Sequence, residues 1–240
     1  MVSKSQIKLI TSLSQKKYRS RHGLFVVEGL KSIEEFLNSG FKLHALYALD
    51  GFFEQVPPPV RQVEDKEQLK KITFLKTPPE AIAVFCIPQH SDKVKPGLKL
   101  VLDDVRDPGN LGTIIRLCDW FGIRQLICSE HTVDCYNPKV VQATMGSLAR
   151  VDLAYAKIDS YLKDVAATKY GAFMDGDNIY QKTLDKDAIL VMGNEANGIS
   201  REVEAMLDVR VSIPRFGQDT ESLNVASATA ILLSEFKRRE

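Results

Sequence analysis

From Leu98 onward the chain alternates apolar runs of strand length with stretches of helical spacing. Lys99–Asp103, Gln125–Cys128, Val151–Tyr155, Gly171–Met174, Ala188–Met192 and Val209–Ile213 read as strands. Segments after Asn110 and Pro138, the stretch Ile158–Thr168, a short piece after Ser200, and Asn224–Arg239 read as helices. Strands interleaved with helices predict a mostly parallel sheet covered on both faces, so the strands are apolar throughout rather than alternating.

The N-terminal part predicts a smaller α/β unit. Leu24–Val27 is an apolar strand, and Leu30–Asn38 a helix with Ile33, Phe36 and Leu37 on one face. Leu43–Ala48 follows as a second strand. After the breaker Pro57-Pro58-Pro59 come a short strand, a charged helix near Asp65–Lys71 and the apolar strand Ala81–Ile87. The polar, breaker-rich stretch Pro88–Gly97 marks a boundary, giving domains at 1–90 and 98–240 with a linker at 91–97.

Composition narrows the class. A chain of 240 residues holds one large or two modest domains, and two fit this pattern better. No apolar run approaches the ~18 residues of a membrane span, and the start MVSKSQIKLI has no signal-peptide apolar region, so a cytoplasmic protein is expected. Cys86, Cys118, Cys128 and Cys135 have no CxxC spacing and read as small buried hydrophobes; the four histidines are scattered, so no metal site is expected. The net charge is only +1, yet residues 1–24 carry Lys4, Lys8, Lys16, Lys17, Arg19 and Arg21 and no acidic residue. Local positive potential governs phosphate binding, and Tyr18 between Lys17 and Arg19 suits stacking on a base, although a plain solvated helix explains the stretch equally well.

Three segments place small and polar residues where an apolar strand stops. Such junctions are the ligand-binding edges of open α/β sheets. In Asp107-Pro-Gly-Asn110-Leu-Gly112, Asn110 is expected to cap the next helix, with Arg116 six residues on, about 120° away in projection. In Gly193-Asn194-Glu195-Ala196-Asn197-Gly198, a plain turn accounts for the glycines but not for Glu195, which needs a partner beside a buried strand end; Arg116 is the expected one. Ser222-Leu223-Asn224 precedes the last helix, with Asn224 as its cap. Neither a GxxxxGK[ST] phosphate loop nor a GxGxxG fingerprint is present, which argues against a P-loop NTPase and an ordinary Rossmann dinucleotide enzyme.

Together the three segments resemble the SpoU/TrmH family of RNA ribose 2′-O-methyltransferases of the SPOUT class. The matching residues are Asp107, Pro108, Asn110, Gly112, Ile114 and Arg116; then Gly193, Glu195 and Gly198; then Ile213-Pro214 and Ser222-Leu223-Asn224-Val225. Two departures are Ala226, where the family often has Ser, and a loop Arg215–Glu221 longer and more polar than usual. Residues 1–90 resemble the family's L30e-like substrate-binding domain, which places the chain nearer the ribosomal-RNA members than the tRNA members.

The resemblance implies an α/β fold with a deep trefoil knot, a homodimer with the helix after Asn110 and the stretch Ile231–Phe236 at its interface, and RNA as partner. It implies S-adenosylmethionine held near Met145, Gly146, Gly193, Ile213, Ser222 and Leu223. Arg116 would assist the ribose hydroxyl, and Asn110, Glu195, Ser222 and Asn224 would orient the reacting groups. Lys16, Lys17, Arg19 and Arg21 are the candidate RNA contacts. A tRNA ribose methyltransferase and a non-catalytic RNA-binding assembly factor are the alternatives.

Overall fold

Among the described residues, pairing of the apolar runs produces two sheets, one of four strands and one of six. The computed structural model describes residues 1–88, 96–217 and 222–238. It divides into two units: residues 1–89 with Asp134–Arg150, and residues 90–133 with 151–240. Of the expected linker, 91–95 lies outside the described residues.

In the first unit, α1 (Lys4–Ser12) and α2 (Lys16–His22) lead into β1 (Leu24–Glu28), α3 (Leu30–Leu37), β2 (Leu43–Ala48), β3 (Arg61–Val63), α4 (Lys66–Lys70) and β4 (Ala81–Cys86). The sheet order is β1-β4-β2-β3, with β4 antiparallel to both neighbours and β2 parallel to β3. Side chains alternate across a strand, so both faces of β1 need cover. Leu24 and Val26 pack with Ile10 and Leu13 near α1 and with Leu69 and Ile72 near α4. On the opposite face Phe25 meets Phe36 edge-on at 5.5 Å and Tyr136 at 4.6 Å. Tyr136 belongs to the segment that carries α6 (Pro138–Thr144), and α6 buries Val140 and Val141 while packing on β1. The strand–helix alternation gives no hint that this helix serves the N-terminal sheet.

The second unit contains β5 (Lys99–Leu102), α5 (Pro108–Trp120), β6 (Gln125–Ser129), β7 (Asp152–Ala156), α7 (Ile158–Asp164), β8 (Thr168–Asn178), β9 (Ala188–Met192), α8 (Arg201–Glu204), β10 (Val209–Ser212) and α9 (Val225–Arg238). Every pairing is parallel, in the order β10-β8-β9-β5-β6-β7. Val101, Ile127, Ile189 and Val191 pack under Ile158, Leu162 and Val203 of α7 and α8. Their neighbours Leu100, Leu102, Leu126 and Leu190 point the other way and are equally buried. Both faces are thus covered, as the uninterrupted apolar runs require. β8 runs far past the expected Gly171–Met174, because its polar second half continues alongside β10 after a register shift at Arg210/Val211.

One expectation fails in α9. Leu232, Leu233 and Phe236 are already buried inside their own unit, where α9 packs on α5 and Phe236 meets Tyr170 edge-on at 5.3 Å. Most of the stretch Ile231–Phe236 is therefore not a free apolar face waiting for a second chain.

Candidate active site

Leaving β5, the chain turns at Asp104 with φ +63° and enters α5. Asp107, not Asn110, caps this helix: its Oδ1 accepts from the Asn110 N–H at 2.8 Å. Pro108 at the first helical position has no N–H to satisfy. The expectation of Asn110 as cap is corrected by three positions, which leaves the Asn110 side chain available for other contacts. The Asp-Pro pair carried that signal in the sequence.

The Asn110 carboxamide bonds at both ends. Its Oδ1 accepts from Asn224 Nδ2 at 2.9 Å, and its Nδ2 donates to Glu195 Oε1 at 2.7 Å. Asn224 is the cap of α9, with Oδ1 accepting from the N–H groups of Ala226 at 2.9 Å and Ser227 at 3.3 Å. The loops after β5, after β9 and before α9 thereby converge on one hydrogen-bonded chain, at the carboxyl ends of parallel strands.

Glu195 is exposed, and its partner is Asn110 rather than Arg116. A solvated carboxylate with a neutral amide donor escapes the burial penalty that called for a cation. Arg116 lies on the exposed face of α5 and makes no ion pair or hydrogen bond among the described residues. Ser222 is exposed beside Leu223, which is 50% exposed, and both stand one or two residues before Asn224.

Next to this chain opens a cleft of about 880 Å³, lined by Gly193, Glu195, Ile213, Pro214, Ser222 and Leu223 and floored by apolar residues including Met192, Val211 and Leu232. That volume lies within the roughly 300–1,000 Å³ of small-molecule sites. Gly193 is required here: a Cβ on it would lie 2.2 Å from the backbone carbon of Gly198. Backbone groups, small residues and an apolar floor fit S-adenosylmethionine, whose adenine face needs apolar cover and whose polar edges and charged amino-acid end take hydrogen bonds from closely approaching backbone. At the rim, Arg210 sits 3.7 Å over the Phe173 ring and bonds to Asp175, whose carboxyl that hydrogen bond holds below its ordinary range.

The expected cofactor residues therefore divide. Gly193, Ile213, Ser222 and Leu223 line the cleft, whereas Met145 and Gly146 belong to the first unit. There they form the left-handed turn after α6, with φ +50° and +95°. A Cβ on Gly146 would come within 2.8 Å of Glu35.

Among the candidate RNA contacts, Lys16, Lys17 and Arg21 are exposed. Arg19 is not available for RNA. It is 2% exposed, donates to Asp134 Oδ2 through Nε at 2.9 Å, and donates through Nη1 to the carbonyls of Leu13 at 2.8 Å and Ser14 at 2.9 Å. Its charge is neutralised and its donors are engaged, so it is a structural residue of the first unit. The expected loop Arg215–Glu221 is described only to Gly217, and its polar part 218–221 lies outside the described residues.

Comparison with known proteins agrees with this geometry. Residues 97–234 match the SpoU rRNA methylase family, and residues 4–83 match an MRM3-like substrate-binding domain. A 23S rRNA guanosine 2′-O-methyltransferase of Bacillus subtilis is 29% identical over 92% of this chain and 91% of its own. The structure of a TrmH-family protein from Porphyromonas gingivalis, 42% identical, superposes with a TM-score of 0.92 over all of both chains. An AdoMet-bound rRNA methyltransferase from Sinorhizobium meliloti, 29% identical, superposes at 0.90 over 100% of this chain and 97% of that one. The chain belongs to the SpoU rRNA methylase family, whose members are S-adenosylmethionine-dependent RNA ribose 2′-O-methyltransferases.

Proposed function

We propose that this protein methylates one ribose of large-subunit ribosomal RNA. The observation that supports this substrate is coverage: the 23S rRNA enzyme of Bacillus subtilis aligns over 92% of the chain, so catalytic and substrate-binding portions are matched together. Residues 1–90 act as the RNA-binding domain and 98–240 as the catalytic domain. Lys16, Lys17 and Arg21 hold phosphates, giving salt-sensitive binding.

When bound, S-adenosylmethionine would supply an electrophilic methyl group on a sulfonium, and Gly193, Ile213, Ser222 and Leu223 would hold it. The chain's own groups orient and stabilise. Arg116 stabilises charge developing on the ribose oxygen through its planar cationic fork. Asn110, Glu195 and Asn224 fix the donor and acceptor directions around that oxygen, and Ser222 adds a hydroxyl on the same rim. The catalytic unit works as a knotted homodimer in the cytoplasm.

Transfer of labelled methyl from S-adenosylmethionine to RNA from cells lacking this gene tests the reading. Label in a ribosomal RNA, recovered as a 2′-O-methyl nucleoside, is the expected result. Label in transfer RNA alone overturns the substrate, and no label together with no cofactor binding overturns the activity.

A further inference from the structure

Glu195 stands on the loop between β9 and α8, and two consecutive residues at the end of β5 tie that loop down. Asn194 donates from Nδ2 to the Asp104 carbonyl at 2.7 Å. At the far end, Asp103 Oδ2 accepts from the Ser200 N–H at 2.8 Å and from its hydroxyl at 2.7 Å. The left-handed turn at Asp104, φ +63°, is what points its carbonyl back towards Asn194. That turn is itself held, because the Asp104 N–H donates to Ser129 Oγ at 2.9 Å and Ser129 shares a hydrogen bond with Thr132 at 3.0 Å.

Inside the loop, the same Asn194 side chain sets the shape. Its Oδ1 accepts from the N–H groups of Ala196 at 2.8 Å and Asn197 at 3.2 Å, and its backbone exchanges two 2.9 Å hydrogen bonds with Gly198. The carboxamide is thus bonded inward through oxygen and outward through nitrogen, and Glu195 is the next residue. Asp104, the outward partner, lies on the same β5–α5 connection that delivers Asn110, to which Glu195 bonds at 2.7 Å.

We infer that Asn194 is a positioning residue for methyl transfer: by bonding Asp104 it fixes the Glu195 carboxylate against Asn110. It acts through Glu195, and this inference rests on the methyltransferase reading. Misplacement of a reacting group by about 1 Å can lower a rate about 100-fold.

The test compares Asn194→Asp, isosteric but lacking the donor, with Asn194→Ala, which adds no charge. Crystal structures of both, and the S-adenosylmethionine Kd, are read alongside kcat on the ribosomal RNA that the wild type methylates. Glu195 is expected to leave Asn110 in both variants, with kcat down about 100-fold and the KM for RNA within about threefold. In a Glu195→Gln background, Asn194→Ala is expected to lower kcat by less than about twofold, since the two residues act as a unit. An unchanged Glu195–Asn110 distance in both variants overturns the inference whatever the activity. So does a full additional loss in the Glu195→Gln background. A wild type that methylates no RNA overturns the functional reading, while the variant structures still decide the positioning.

Discussion

Asn224 donates from its side-chain nitrogen to Asn110 Oδ1 at 2.9 Å, and the cap of α9 decides that direction. Because Asn224 Oδ1 accepts from the first N–H groups of the helix, only its Nδ2 is left to face Asn110. Asn110 must then present oxygen to Asn224 and nitrogen to Glu195, a carboxylate that only accepts. Helix capping and active-site polarity are one network.

This network separates stability from turnover. Asn224→Asp keeps the cap, since Asp and Asn cap equally well, but replaces the donor by an acceptor and turns the relay against Glu195. Thermal unfolding is expected to stay near wild type while kcat falls by about 100-fold, the order expected for a misaligned catalytic group. Asn224→Ala removes both functions, lowering stability by about 1 kcal/mol as well. Equal kcat in Asn224→Asp and wild type, measured by labelled methyl transfer, would disprove the relay.

Arg116 gives the second prediction. It is exposed, without a protein partner among the described residues, and available to substrate. Arg116→Lys keeps the charge and loses the planar fork, so most of the rate should disappear while S-adenosylmethionine binding by calorimetry persists. Near-wild-type turnover in that variant would reduce the role of Arg116 to a point charge.

The basic N-terminus makes a third prediction by splitting neighbours. Arg19→Ala leaves Asp134 without its buried cation and is expected to destabilise the first unit by about 3–5 kcal/mol. Lys17→Ala should leave the melting temperature unchanged and weaken RNA binding, with a shallower dependence of log affinity on log salt. Thermal melts and RNA titrations at two salt concentrations read both.

What the sequence disclosed follows from range. Strands β5, β6 and β9 are visible as apolar runs, because a sheet covered on both faces writes its burial into consecutive residues. The convergence of Asn110, Glu195 and Asn224 was visible only through motif resemblance, since 85 and 114 residues separate the bonded pairs. Three features were hidden. Arg19 looks like its basic neighbours, and only its contact with Asp134, 115 residues away, removes it from the surface. The α6 segment has the same helical spacing whichever sheet it covers. Charge pairing points Glu195 to Arg116 only for a buried site, whereas the loop lies in solvent and an amide suffices.

Glu28 supplies the last prediction, a pH dependence in the first unit. Its carboxylate accepts from Thr73 Oγ1 and from the Phe74 N–H at 2.8 Å, both of which favour ionisation. Desolvation outweighs them and raises its pKa above the ordinary carboxylate value of about 4.3. The folded state then binds the proton more tightly than the unfolded state. The contribution of Glu28 to stability is complete below the unfolded pKa and is lost as pH rises through the raised folded value. Glu28→Gln should abolish this part of the slope: Gln keeps an acceptor for Phe74 and offers a donor to Thr73, and it does not ionise. Melting temperatures of the two proteins should converge in acid and diverge, with the variant gaining relative to wild type, as pH rises through the raised folded value. A constant difference between them across that range would show that burial of Glu28 has no linkage to folding.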